Sequence, residues 1–253
     1  MKGGENLRFL LELKLQKNEL PKDYHKLFMS FFKNALSKCN NGKYFEDFYK
    51  DTNQKDFCFS VMFGKCKFTK EKIILDGNKI KMLVSANESS KNKFILFNAF
   101  LGQKNTVFPL PNENKMTLVS VIQLKGVEIK NSKVIFKTAL GSGICVRKHN
   151  KETNKDEYFV YNDNNFEENL RRVLKIQAVN AGFSEKIADN IRFKAIQCRK
   201  IVTQHYGIFI DTTVGMFELE ADSKLLQYFY DTGFGSRTSE TYGVLELVTQ
   251  DLL

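Results

Sequence analysis

The chain has no tryptophan, three histidines, three prolines and five cysteines among its 253 residues, and each shortage excludes something. The cysteines, Cys39, Cys58, Cys66, Cys145 and Cys198, are odd in number and lack C-x-x-C spacing. Neither a disulfide scaffold nor a zinc site is therefore predicted, and the five read as reduced, mostly buried thiols. No uninterrupted apolar stretch approaches the roughly 18 residues of a membrane span, and the N-terminus lacks the apolar core and cleavage site of a secretory leader. The expectation is a soluble, cytoplasmic protein with no membrane partner, no metal and no cofactor. No Pro, Gly or Ser tract marks a linker.

What is present points to an anionic partner. Lysine and arginine number 39 against 29 aspartates and glutamates, a formal charge of +10. A pI near 9.2 lies in the range of nucleic-acid-binding domains. Twenty-three Phe and nine Tyr suffice to fill a core and to leave rings for stacking on bases. The length suits two domains of about 100–130 residues.

Hydrophobic periodicity orders the chain into two similar rounds. Residues 7–15 read as a buried strand. Pro21 then opens a helix with Tyr24, Leu27, Phe28, Phe31, Phe32, Ala35 and Leu36 at helical spacing. Strands follow at 56–68 and 79–85, a helix at 91–101 and one or two returning strands at 116–129. The second round has strands at 133–148 and 158–161, a helix at 166–181, strands at 191–203 and 206–219, a helix at 224–230 and a last strand at 244–248. The segment 149–157 reads as a charged hairpin tip. The pattern predicts an α+β chain of two tandem ferredoxin-like (RRM-like) βαββαβ domains, 1–130 and 131–253.

The most informative segment lies near the end, where YFYDTGFGSRTSETYGVLEL (228–247) runs from a helix through a glycine-rich loop into a strand. Gly233, Gly235 and Gly243 supply positions free to take positive φ. Ser236, Arg237, Thr238 and Ser239 bring three hydroxyls and a guanidinium that can donate to phosphate, and successive amides can form an anion nest. The plainer alternative is a helix C-cap and turn.

GFGSRTSETYGVLELV, preceded by GMFELEADSKLLQYFYDT, resembles the C-terminal glycine-rich signature of the CRISPR-associated repeat-processing endoribonucleases, the Cas-six family. LPKDYHKLFMSFFKNAL followed by FCFSVMF is similar to that family's N-terminal half. VIFKTALGSGICVRK is similar to its entry into the second domain. The resemblance implies a metal-independent endoribonuclease that cuts CRISPR precursor RNA once per repeat, the 2′-hydroxyl attacking its own phosphate. It also implies repeat RNA and an interference complex as partners, with the protein a monomer or a homodimer.

The chain departs from the family where the resemblance implies a catalytic histidine, because KYFEDFYKDTNQKDFCF places Tyr49 there. Other catalytic candidates are His25, either a surface residue of the first helix or a relocated base; Lys33, where relatives place a tyrosine; and Lys55, where relatives place a lysine. Lys50 is a further candidate for RNA contact. Arg192, Lys194, Arg199 and Lys200 fall on a strand or hairpin that in the family borders the RNA cleft. His149 reads as solvated and His205 as a turn residue. Thr241 replaces a family glycine and is expected to avoid positive φ, closing the loop with a different turn. Two further readings stay open: a catalytically silent homologue that binds repeat RNA, and a tandem ferredoxin-like protein with no RNA role.

Overall fold

The computed structural model describes residues 8–49, 55–87 and 91–252. The first half comprises β1 (Arg8–Leu15), β2 (Glu19–Pro21), α1 (His25–Lys38), α2 (Phe45–Tyr49), β3 (Phe57–Met62), β4 (Cys66–Phe68), β5 (Lys72–Leu75), β6 (Lys79–Ala86), α3 (Asn92–Leu101), β7 (Val107–Leu110) and β8 (Asn114–Leu124). Its main sheet has the order β3-β6-β1-β8-β7 with every pair antiparallel. Without the edge strand β7 this is the ferredoxin-like βαββαβ arrangement. Strands β2, β5 and β4 form a small separate sheet.

The second half comprises β9 (Lys133–Thr138), β10 (Val146–Asn150), β11 (Lys155–Phe159), α4 (Phe166–Asn180), α5 (Glu185–Asp189), β12 (Arg192–His205), β13 (Ile208–Glu220), α6 (Ser223–Thr232) and β14 (Leu245–Thr249). Its sheet order, β12-β13-β9-β14, repeats the first, with the β10–β11 hairpin inserted as a separate two-stranded ribbon. The α+β class and the tandem ferredoxin-like architecture follow.

Phenylalanine builds both cores. On α1, His25, Phe28, Met29, Phe31, Phe32, Ala35 and Leu36 form one buried stripe, and the Phe32 ring stacks on Phe57 and Phe59 of β3 at 4.8 and 5.0 Å. Each such ring contributes about 1.5–3 kcal/mol by burial. In the second half Phe136, Phe217 and Phe229 are fully buried with Phe234. Phe234 is the aromatic of the glycine-rich loop, its ring 5.5 Å from both Phe217 and Phe229. The loop is thus anchored through its own core residue.

Several predicted elements are shorter than the sequence suggests. The run 56–68 breaks after Met62, and 133–148 breaks between Thr138 and Val146. There a turn carries Gly141 at φ 74° against Val61 of β3, where a Cβ would lie 1.8 Å from the Val61 carbonyl oxygen. The strand at 116–129 ends at Leu124, and Pro21 ends β2 while α1 begins at His25. All five cysteines are free, with Cys58 and Cys145 buried and the other three half-buried.

The two halves are joined by a buried guanidinium and an apolar patch. Arg8 of β1, 4% exposed, donates to Ser85 Oγ at 3.2 Å, to the Leu245 carbonyl at 2.6 Å and to the Tyr230 carbonyl at the end of α6. Its guanidinium stands 3.4 Å from the centre of the Tyr230 ring. Cys58, Leu83, Ala139 and Val244 pack together beside it. The glycine-rich loop between α6 and β14 is therefore held between the two sheets.

Candidate functional site

The loop leaves α6 at Gly233 and closes at Gly243 before β14. Gly235 has φ 98° and a Cβ there would lie 2.7 Å from the Cys145 carbonyl oxygen; Gly243 has φ 73° and a Cβ would lie 2.5 Å from that of Phe234. Both glycines are demanded by backbone packing. The amides of Gly233, Phe234 and Ser236 donate to the carbonyls of Phe229, Gly243 and Cys145, and that of Gly235 to Gln177 Oε1. The expected anion nest is therefore not formed by residues 233–236, whose amides are used inside the protein. Any phosphate contact falls to side chains and to the turn beyond them.

Thr241 corrects a second expectation: its φ is +80°, a strained conformation for a β-branched residue. Two contacts hold it there. Its hydroxyl lies 2.5 Å from His25 Nδ1, and its carbonyl accepts from Ser142 Oγ at 2.9 Å.

His25 is buried, 1% exposed, and is no surface residue. Its ring is sandwiched between Tyr24 at 4.1 Å and Tyr242 at 5.2 Å. From it a polar chain crosses the junction of the halves. Tyr242 Oη lies 3.5 Å from His25 Nε2 and 3.3 Å from His205 Nδ1. Glu240 accepts from His205 Nε2 and from Arg237 Nη1, both at 2.9 Å. Arg237 Nη2 continues to Asp156 Oδ2 at 3.4 Å and Tyr158 Oη at 3.3 Å. His205 is thus no turn residue: it ends β12, and the turn is Tyr206-Gly207 with φ 51° and 87°. The amides of that turn donate to Asp23, just before α1, at 3.0 and 2.9 Å.

Burial, helped by the neighbouring His205, pushes His25 down to about 3, so it is neutral at physiological pH. Burial pushes Glu240 up, but the His205 hydrogen bond and the Arg237 charge outweigh it and hold its carboxyl below the usual range. Burial raises the Tyr49 phenol well above its ordinary value, reinforced by Tyr206 and Glu240. The Tyr49 hydroxyl is buried with no hydrogen-bond partner among the described residues. Neither His25 nor Tyr49 is poised as a base near neutral pH.

Beside this chain lies an open cleft of about 430 Å³ lined by Lys55, Arg147, His149, Arg172 and the loop residues 235–240. Elements of both halves shape it. Arg172 of α4 donates to the Arg147 carbonyl at 3.1 Å, and the Arg147 amide to Ser236 Oγ at 3.3 Å, tying helix, hairpin and loop together. Five cationic or ionisable nitrogen side chains, Arg237 among them, and the hydroxyls of Ser236, Thr238 and Ser239 give the walls the chemistry of an oxyanion site.

The structure brings some of the predicted residues together and separates others. Lys55, Gly235, Ser236, Arg237 and Ser239 line the cleft, although Arg237 spends its guanidinium on Glu240, Asp156 and Tyr158. Lys33 is exposed on α1 with its ammonium 5.0 Å from the Tyr49 ring. Lys50 lies outside the described residues. Arg199 lines a second, more apolar groove of about 610 Å³ with Phe63, Phe68 and Phe209. Lys200 is paired with Asp211 at 2.6 Å. Arg192 and Lys194 are exposed at the start of β12, and at about 3.3 Å per residue Arg192 is some 40 Å along the strand from His205. Sequence reasoning missed Arg147, Arg172 and the pairing of His149 with Asp156. Among the described residues no group of three His, Cys, Asp or Glu side chains is arranged to hold a metal.

Residues 124–247 match the family model for CRISPR associated protein Cas6, C-terminal. Among solved structures, a Cas6-related protein of Pyrococcus furiosus aligns with a TM-score of 0.81 at 18% identity, covering 97% of this chain and 99% of that one. An RAMP protein binding different RNA substrates aligns at 0.78 and 17% identity, covering 96% and 100%. A Cas6 product complex aligns at 0.71 and 13%, covering 96% and 100%. At these identities the likeness is one of fold. No curated protein matches the chain.

Proposed function

The chain belongs to the Cas6 family, and from that premise we propose that it binds CRISPR repeat RNA across the basic cleft and cuts precursor transcripts within each repeat. The observation that carries this reading is the cleft itself. Lys55, Arg147, His149 and Arg172 converge with three loop hydroxyls on one concave surface, where a phosphodiester would find cations and donors on several sides. A site of this kind is suited to internal transesterification, in which the RNA supplies its own nucleophile. The ribose 2′-oxygen bonds to phosphorus, the phosphorus–5′-oxygen bond breaks, and the products are a 2′,3′-cyclic phosphate and a 5′-hydroxyl. The protein's work is to hold the two oxygens in line, to move one proton from the 2′-oxygen and another to the 5′-oxygen, and to spread the phosphorane charge. No metal is required for these tasks. The partners under this reading are repeat RNA and an interference complex that receives the product, with the protein a monomer or homodimer.

A second reading has its own observation. The Tyr49 hydroxyl is buried without a partner among the described residues, burial raises its phenol far from neutrality, and the resemblance implies a histidine at its place. A chain in this state could bind repeat RNA and leave it intact. Incubation of the full chain with its own repeat RNA in EDTA separates the two. Cutting that stops when the scissile nucleotide is 2′-deoxy supports the endonuclease. Tight, salt-sensitive binding of intact RNA supports the silent binder.

A further inference from the structure

We propose that His149 is the proton-transfer residue of this site, oriented by Asp156. The inference rests on the endonuclease reading and names the group that reading lacks.

His149 and Asp156 are direct cross-strand partners in the β10–β11 ribbon, a register that puts neighbouring side chains about 5 Å apart. Asp156 Oδ1 lies 2.8 Å from His149 Nδ1. A carboxylate there accepts the Nδ1 proton and fixes the tautomer whose lone pair is on Nε2. No group among the described residues is bonded to Nε2. The imidazole lines the basic cleft with Lys55, Arg172 and Ser236, and its side chain is 41% exposed, so a bound phosphodiester can reach it.

The pair differs from an ordinary surface ion pair in what stands behind it. Asp156 also accepts from Arg147 Nη1 at 3.1 Å, Arg237 Nη2 at 3.4 Å and Tyr158 Oη at 3.4 Å. Its carboxylate is therefore fixed from three further directions, one of them the glycine-rich loop. His149 is the one histidine that combines an oriented ring with access to the cleft, because His25 and His205 are each 1% exposed.

In the step assigned, His149 Nε2 takes the proton of the ribose 2′-hydroxyl as the 2′-oxygen–phosphorus bond forms and the phosphorus–5′-oxygen bond breaks. The imidazolium then returns its proton to solvent, and the leaving 5′-oxygen takes one from solvent. The reaction is a transesterification that consumes no water and releases no net proton.

The test is single-turnover cutting of the chain's own repeat RNA by the full-length protein and by His149→Ala and Asp156→Asn, with RNA affinity measured in parallel. His149→Ala is expected to slow cutting by about 100-fold or more while affinity stays within about threefold, and added imidazole should restore part of the rate. The wild-type pH–rate profile should carry an inflexion that His149→Ala lacks. The charged groups facing that ring are Asp156 from β11, Arg172 from α4, Lys55 ahead of β3, Arg237 and Glu240 from the loop, and Arg147 from its own strand. Asp156→Asn removes the carboxylate that holds the ring and should slow cutting while RNA affinity stays unchanged. Cutting by His149→Ala at the wild-type rate overturns the assignment and leaves the endonuclease reading intact. Loss of cutting that imidazole does not relieve, with an unchanged profile, would mean a structural role and also overturns it. Binding without cutting by the wild type overturns both.

Discussion

Thr241 Oγ1 lies 2.5 Å from His25 Nδ1, joining the glycine-rich loop to the first helix across 216 residues of chain. Thr241 holds a left-handed backbone to make this contact, so bond and strain are opposed. Thr241→Val keeps the strain, removes the hydroxyl and leaves a buried ring nitrogen unpaired. It should lose about 2 kcal/mol. Thr241→Gly loses the same bond but relieves strain of about 1–3 kcal/mol, and should fall between wild type and the valine variant. Denaturant midpoints at fixed slope check the order.

The burial of His25 makes stability acid-sensitive. Its folded-state value is pushed from 6.5 to about 3, so over that interval the unfolded chain binds a proton that the folded chain refuses. Stability contributed by the neutral ring is present above about 6.5 and is lost as pH falls toward 3. The slope should be about 1.4 kcal/mol per pH unit. Unfolding at pH 6 and pH 4.5 should show wild type losing more than His25→Gln by roughly that slope.

Arg8 should be among the costliest residues to change. Arg8→Met leaves the carbonyls of Tyr230 and Leu245 and the Ser85 hydroxyl without their shared donor in a buried junction. The expected loss is about 3 kcal/mol or more, a fall in Tm of roughly 5–10 °C. Arg8→Lys should recover little, since an ammonium cannot fork to three acceptors while stacking on a ring.

Cleft and strand cations should separate in RNA binding. Lys55→Ala and Arg172→Ala remove charges that line the cleft; each should weaken affinity for repeat RNA and lower the salt slope by about one. Arg192→Ala, at the far end of β12, should leave both unchanged. Titration of labelled repeat RNA at several salt concentrations decides the matter.

The fold was readable because its signals are local. The helical stripe from Phe28 to Leu36 and the alternation in β1 are properties of short windows, and the second round repeats the first. The break after Thr138 was hidden because much of the intervening turn is itself buried: Ala139, Ile144 and Cys145 are packed by distant residues, so apolar character runs on through it. The surroundings of His25 come from residues 205 and 240–242, which no local window contains. Thr241 was misjudged because propensity ranks what is easy, while the hydroxyl contact to His25 and the Ser142 bond overrule it. The His149–Asp156 pairing did leave a trace, since both residues flank the tip of a charged hairpin at equal remove from its turn. Reading that segment as strand ends instead of tip would have paired them.

The most direct test of the account is mass spectrometry of the RNA ends after the purified chain has been incubated with a precursor containing its own repeats, in EDTA. The account predicts one cut per repeat, with a 2′,3′-cyclic phosphate on the upstream fragment and a 5′-hydroxyl on the downstream one. A 3′-hydroxyl with a 5′-phosphate, or RNA recovered intact from a tight complex, would contradict it.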